Sequence, residues 1–167
     1  YPAIRSFIKI ELCRLILEKF ENIDAIAGVA TGAIAQGALI AEQLGLPYVY
    51  VRSAPKDHGL ENLIEGNLIP GQRVVVIEDL ISTGGSSPKA VEAIRNVGCE
   101  VVGMAAIFSY RFPVAEERFK AANVDVVTLS NYEAVLEAAL KTGYITEEDL
   151  ETLKEWRKDP ASWNVNK

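Results

Sequence analysis

The sequence predicts an α/β protein: a mostly parallel sheet flanked by helices on both faces. Two observations carry this. Strand-like and helix-like segments alternate along the chain, and the strand-like ones are continuous apolar runs such as IDAIAGVA and VVVI. Such runs belong to strands buried on both faces, as the strands of parallel sheets are. The length of 167 residues matches about one domain, so residues 1–167 are expected to form a single one.

Ile4, Phe7, Ile8, Leu12, Leu15 and Ile16 recur at helical spacing, and residues 3–20 read as an amphipathic helix. Ile23–Ala30 suits a buried strand. Ile34–Leu44, rich in Ala and Leu, reads as a helix, with Gly45 placed as a C-cap glycine. Tyr48–Arg52 is β-branched and aromatic, hence a strand. A polar stretch, Ser53–Gly71, follows, with a hairpin expected around Asn67. Val74–Ile77 is the clearest strand. Ser87–Pro88 opens a helix to Val97, with Ser at the cap and Pro at the first helical position, and Gly98 closes it. Glu100–Phe108 and Val124–Leu129 read as strands around a helix at Val114–Asn123. Two helices near 131–141 and 147–157 end the chain, separated by Gly143, the second started by Thr146 with Asp149 three residues on.

Composition narrows the function classes. Hydrophobic residues make up 49% of the chain, which excludes a disordered protein. With 17 Lys+Arg against 23 Asp+Glu, the net charge of −6 offers no basic field for nucleic acid or an anionic membrane. Cys13 and Cys99 are too few and too far apart for a disulfide scaffold or a zinc site, and read as buried thiols. No apolar stretch reaches the roughly 18 residues of a membrane span, and no signal peptide opens the chain, so a cytoplasmic protein is expected.

In sheets of this kind ligands bind beyond the carboxyl ends of the strands. The loop expected after the clearest strand, Glu78 to Ser87, places two carboxylates ahead of small, hydroxylated and glycine residues and runs into a helix. Inward-turned backbone N–H groups and the helix N-terminus form a cradle for a phosphate, with Thr83, Ser86 and Ser87 as hydroxyl donors. Carboxylates beside such a cradle must grip something else, sugar hydroxyls or Mg²⁺. No Gly-Lys-Ser/Thr ends the loop, so it is not a Walker A sequence.

VVVIEDLISTGGSS, Val74 to Ser87, resembles the phosphoribosyl-pyrophosphate signature of the type I phosphoribosyltransferases. The resemblance implies that family's fold and a site for 5-phosphoribosyl 1-pyrophosphate along Glu78, Asp79, Leu80, Ile81, Ser82, Thr83, Gly84, Gly85 and Ser86. Glu78 and Asp79 would bind the ribose hydroxyls, with Mg²⁺ held near them through the substrate, and Ser82 to Ser86 the 5′-phosphate. Within the family, further segments are similar to the orotate-using branch. Gly28–Pro47 resembles the loop and helix near the pyrophosphate, which implies contacts from Ala30, Thr31 and Gly32. Tyr50–Gly59 resembles the mobile catalytic loop, followed by Ile64–Gly66. FSYRF, Phe108–Phe112, places Arg111 where the family pairs an arginine with orotate, and Ser82 would add a hydroxyl to the base. The family also carries an N-terminal hood segment, which this sequence begins after, and works as a homodimer with shared sites.

Arg52, Lys56 and His58 fall within seven residues on the polar loop. Expelling pyrophosphate demands cations that arrive with a closing loop, and the resemblance gives these residues that role. Lys56, His58 and Asp79 are its expected catalytic residues. A guanidinium such as Arg111 offers paired N–H donors in one plane, which suits a planar base bearing a carboxylate. Trp156 and Trp163 read as packing residues. The implied reaction transfers the phosphoribosyl group to orotate, giving orotidine 5′-monophosphate and pyrophosphate on the way to UMP. Two alternatives stay open, a purine-using enzyme and a non-catalytic nucleotide sensor. The second draws on Ala35, where a proline is usual, and Ala54, where a lysine is common.

Overall fold

A computed structural model describes residues 1–52 and 63–163. Helix α1 (Pro2–Lys19) leads to β1 (Ala25–Val29), α2 (Ala33–Leu44) and β2 (Tyr48–Val51). Then come β3 (Ile64–Glu65), β4 (Arg73–Ile81), α3 (Ser87–Asn96), β5 (Glu100–Ser109), α4 (Pro113–Ala121), β6 (Val126–Asn131), α5 (Tyr132–Lys141) and α6 (Glu147–Lys158). Among the described residues six strands form one sheet in the order β3-β2-β1-β4-β5-β6. The pairs β1–β2, β1–β4 and β4–β5 are parallel, and β3 runs antiparallel to β2.

Side chains alternate across β4 and sort the core into two layers. Val75 and Ile77 pack with Leu12, Ile16, Ile40 and Ala41 of α1 and α2. Val74 and Val76 pack with Val91, Ile94, Ala115 and Phe119 of α3 and α4. Helices therefore cover both faces, and the strands are apolar throughout because neither face meets water. Burying each Ile or Leu contributes roughly 1.5–3 kcal/mol. The expected C-cap is present: Gly45 adopts φ 66°, and its N–H donates to Ala41 and Glu42 carbonyls.

Three expectations are corrected. The strand expected to stop at Ile77 runs on to Ile81, because β5 continues beside it and pairs Glu78 with Ala106, Leu80 with Phe108 and Ile81 with Ser109. The acidic pair thus sits on a strand, and the loop begins at Ser82. No hairpin turns at Asn67; instead Val51 pairs with Ile64 and Tyr50 with Glu65. Ser87 is not the cap of α3 but lies in its first turn, and its hydroxyl turns to Glu78.

The chain divides into two compact units, Tyr1–Ser130 and Asn131–Lys167. In the second, Asn131 caps α5, accepting from Ala134 N at 3.0 Å, and Thr146 and Asp149 form a reciprocal capping box on α6. Tyr132 packs its ring 5.5 Å from Trp156, and Arg157 pairs with Glu133 at 2.6 Å.

Candidate active site

Strand order reverses about β1 and β4: the chain moves outward to β2 from one and to β5 from the other. The crevice beyond their carboxyl ends is where this topology seats ligands. Two loops meet there. One, Ala30–Gly32, leaves β1 and starts α2; its Ala30–Thr31 peptide is cis. The other, Ser82–Ser86, leaves β4 and starts α3.

Gly32 ties the first loop to β4. A Cβ built there would collide with the carboxylate of Asp79, so glycine lets the loop close on that side chain without displacing it. Gly28 is as constrained, since its Cβ would lie 2.6 Å from the Tyr48 hydroxyl and 2.8 Å from the Ala33 carbonyl. The same Tyr48 hydroxyl donates to Ile34 O at 2.7 Å and fixes the start of α2. Burial pushes the Tyr48 phenol up to about 12. Gln36, one turn into α2, is buried, and its Nε2 finds no hydrogen-bond partner among the described residues.

The strand period splits the acidic pair between the two faces. Asp79, half-buried, faces α2 and the Ala30–Gly32 loop. Glu78, only 4% exposed, faces α3 and accepts from the Ser87 hydroxyl at 2.8 Å. Burial raises the Glu78 carboxyl to about 7, outweighing the Ser87 bond that lowers it. Asp79 is therefore the more accessible of the two carboxylates.

Leu80 to Ser87 enclose a cradle of about 230 Å³ at the N-terminus of α3. Leu80 is exposed and Ile81 buried, while Thr83, Gly85 and Ser86 stand open at the rim. Gly84 takes φ 65°, which lets the loop turn sharply over α4. A larger cavity of about 650 Å³ adjoins it: Ile81 lines both, and Ser109, Arg111 and Phe119 line the second. Arg111 also sits at positive φ, 52°, and its N–H donates to Ser109 Oγ at 3.0 Å. Its neighbours Tyr110 and Phe112 stack with ring centroids 5.3 Å apart.

The structure thus brings Ala30, Thr31 and Gly32 together with Asp79, and sets Ser82–Ser86 next to the Arg111 cavity. Arg52 follows Val51, whose carbonyl accepts from Ala30 N–H at 2.8 Å, and its guanidinium lies 3.6 Å from Glu65. Lys56 and His58, and Ala54 with them, lie outside the described residues. Sequence reasoning missed Tyr48 and the inward turn of Glu78. The spacing of Gly28 and Gly37 about Tyr48 was the available signal for the first, since both glycines face its ring or hydroxyl.

Comparison with known proteins agrees with this geometry. The profile of the phosphoribosyl transferase domain matches residues 7–142. The orotate phosphoribosyltransferase of Bacteroides thetaiotaomicron is 71% identical over 167 residues, 100% of this chain and 79% of that protein. That of Porphyromonas gingivalis is 65% identical over 165 residues, 99% of this chain and 79% of the relative. Among solved structures, the orotate phosphoribosyltransferase from Aeropyrum pernix superposes with a TM-score of 0.75 at 28% identity, covering 87% of this chain and 80% of that one. Leishmania donovani UMP synthase gives a TM-score of 0.79 at 26% identity, covering 95% of this chain and 34% of its own. A helix-covered parallel sheet, a glycine-rich cradle at its switch point and this degree of identity lead to one conclusion: the chain belongs to the orotate phosphoribosyltransferases, within the phosphoribosyl transferase domain family.

Proposed function

We propose that the chain transfers the 5-phosphoribosyl group from 5-phosphoribosyl 1-pyrophosphate to orotate, giving orotidine 5′-monophosphate and pyrophosphate. The observation that carries this reading is the meeting of the Ser82–Ser86 cradle with Asp79 and Gly32 at the switch point. An anion in the cradle would leave the ribose hydroxyls near Asp79 and the pyrophosphate near Ala30–Gly32.

The C1–O bond to pyrophosphate breaks with its electron pair leaving on oxygen, and a ring nitrogen of orotate bonds to C1 as its N–H proton passes to the leaving pyrophosphate or to solvent. The transition state is oxocarbenium-like and needs no strong nucleophile from the protein. Catalysis is then positioning and electrostatics. Ser82–Ser86 hold the phosphate, Asp79 accepts from the ribose hydroxyls, and Glu78 joins it if its carboxylate swings free of Ser87. Arg52, Lys56 and His58 would meet the developing charge on the pyrophosphate, each well-placed donor contributing roughly 2–4 kcal/mol. Arg111 would pair with the orotate carboxylate, and Ser82 would add a hydroxyl.

Among the described residues no three His, Cys, Asp or Glu side chains cluster as a metal-binding group. One open carboxylate, Asp79, suits Mg²⁺ that arrives on the pyrophosphate, because this ion keeps several waters and substrate oxygens as ligands. Bound there, Mg²⁺ would neutralise charge on the leaving group. We also assign the chain to a homodimer through the exposed apolar face of α1, where Ile4, Phe7, Ile10 and Leu17 stand out.

The test is loss of orotate absorbance with the pyrophosphorylated sugar and Mg²⁺, run beside adenine and hypoxanthine, with Asp79→Asn as control. Orotate consumption that depends on Mg²⁺ and falls about 100-fold or more in the variant is expected. Consumption of a purine instead, or full activity in Asp79→Asn, would overturn the assignment.

A further inference from the structure

Helix α4 supports the phosphate loop with one face. Ala115, Arg118 and Phe119 are spaced i, i+3, i+4 and so point the same way. Ala115 and Phe119 are buried beneath Gly84, where a Cβ would lie 3.3 Å from Ala115 Cβ and 3.2 Å from Phe119 Cε2. Arg118 stands at the exposed rim of the same face. Its Nη1 donates to Thr83 O at 2.8 Å and lies 3.7 Å from where a Gly85 Cβ would be. No ion pair holds Arg118 among the described residues, so an acid does not neutralise its charge there.

We propose that Arg118 is a positioning residue of the phosphate site. A peptide unit is planar, and in a trans peptide the carbonyl and the following N–H point in opposite directions. Among the described residues the only cis peptide is Ala30–Thr31, so the Thr83–Gly84 peptide is trans. Drawing the Thr83 carbonyl onto Arg118 therefore turns the Gly84 N–H away from the guanidinium. No acceptor takes that N–H among the described residues, so it is free to donate to an anion in the cradle. A short glycine loop loses much conformational freedom on ordering, and one charged hydrogen bond to its backbone offsets part of that cost. The inference rests on the reading that Ser82–Ser86 bind the 5′-phosphate.

Two measurements on Arg118→Ala and Arg118→Lys test it. In the ligand-free chain, backbone ¹⁵N order parameters over Ser82–Ser86 should fall below about 0.6 in Arg118→Ala while those of β4 and β5 stay unchanged. In the assay, KM for the pyrophosphorylated sugar should rise roughly tenfold, KM for orotate should stay within about twofold, and Arg118→Lys should recover most of the loss. Unchanged loop order parameters in Arg118→Ala overturn the proposal whatever the enzyme does. Equal losses for both substrates would make Arg118 merely structural, which also overturns it. A wild-type chain inert toward the sugar substrate, with loop order parameters lowered as expected, would overturn the phosphate reading and the substrate-binding role with it.

Discussion

Glu78 and Asp79 are adjacent in sequence and opposite in setting, because the strand sends one to each face. With its carboxyl raised from an ordinary 4.5 to about 7, Glu78 retains in the folded state a proton that the unfolded chain has lost. Stability therefore falls as pH rises from about 4.5 to about 7, and levels off above, by on the order of 3 kcal/mol. Glu78→Gln keeps an oxygen to accept from Ser87 and has nothing to titrate. Thermal melts at pH 5 and pH 8 should show a clear drop in Tm for the wild type and a much flatter profile for the variant. Arg111 gives a kinetic prediction at the same scale. Arg111→Ala should raise KM for orotate about tenfold or more, with a smaller change for the sugar substrate. The reverse ranking in steady-state kinetics would take Arg111 out of the base site.

At the scale of elements, the Ser82–Ser86 loop depends on Gly84. Alanine there would meet an unfavourable positive φ, costing about 1–2 kcal/mol, and would press on Phe119 and Ala115. Gly84→Ala should lower stability by that amount in denaturant unfolding and weaken sugar-phosphate binding in titration calorimetry. A substitution leaving both unchanged would mean that the loop is not held by α4. The loop was legible in the sequence, since Thr-Gly-Gly-Ser before a helix states its chemistry locally. The end of β4 was not. Charged residues are rare in buried strands, so Glu78 and Asp79 read as loop, whereas a ladder to β5 from a distant segment keeps them in the sheet. The pairing of Ile64 with Val51 was hidden likewise, because two residues carry no periodicity.

For the molecule as a whole, alternating apolar runs made the layered architecture readable, while strand order came only with the structure. That order decides which loops meet: Ala30–Gly32 and Ser82–Ser86 are some fifty residues apart and become neighbours because β1 and β4 pair. Assembly is the other property at this scale. On α1, Phe7 is 65% exposed, Ile4 56% and Leu17 63%, an apolar face that a second copy would cover. Sedimentation should find a dimer for the wild type and a shift toward monomer for Phe7→Glu. A wild type that sediments as a monomer at tens of micromolar would remove the homodimer.

The extension of β4 past its partner has a consequence for solution behaviour. β1 follows β4 only as far as Ile77, and the last four residues, Glu78–Ile81, project beyond it. A projecting strand invites another chain to add to its edge. Here two successive backbone donors, which point to opposite edges of the strand, are occupied by its own side chains, so one of them is taken from the open edge: Asp79 N–H donates to Glu78 Oε1 at 3.3 Å, and Leu80 N–H to Asp79 Oδ1 at 2.8 Å. A carboxylate expected to hold the sugar thus also occupies a donor that an added strand would need. Replacing both with apolar residues should raise light scattering on incubation, a sign of aggregation, relative to the wild type.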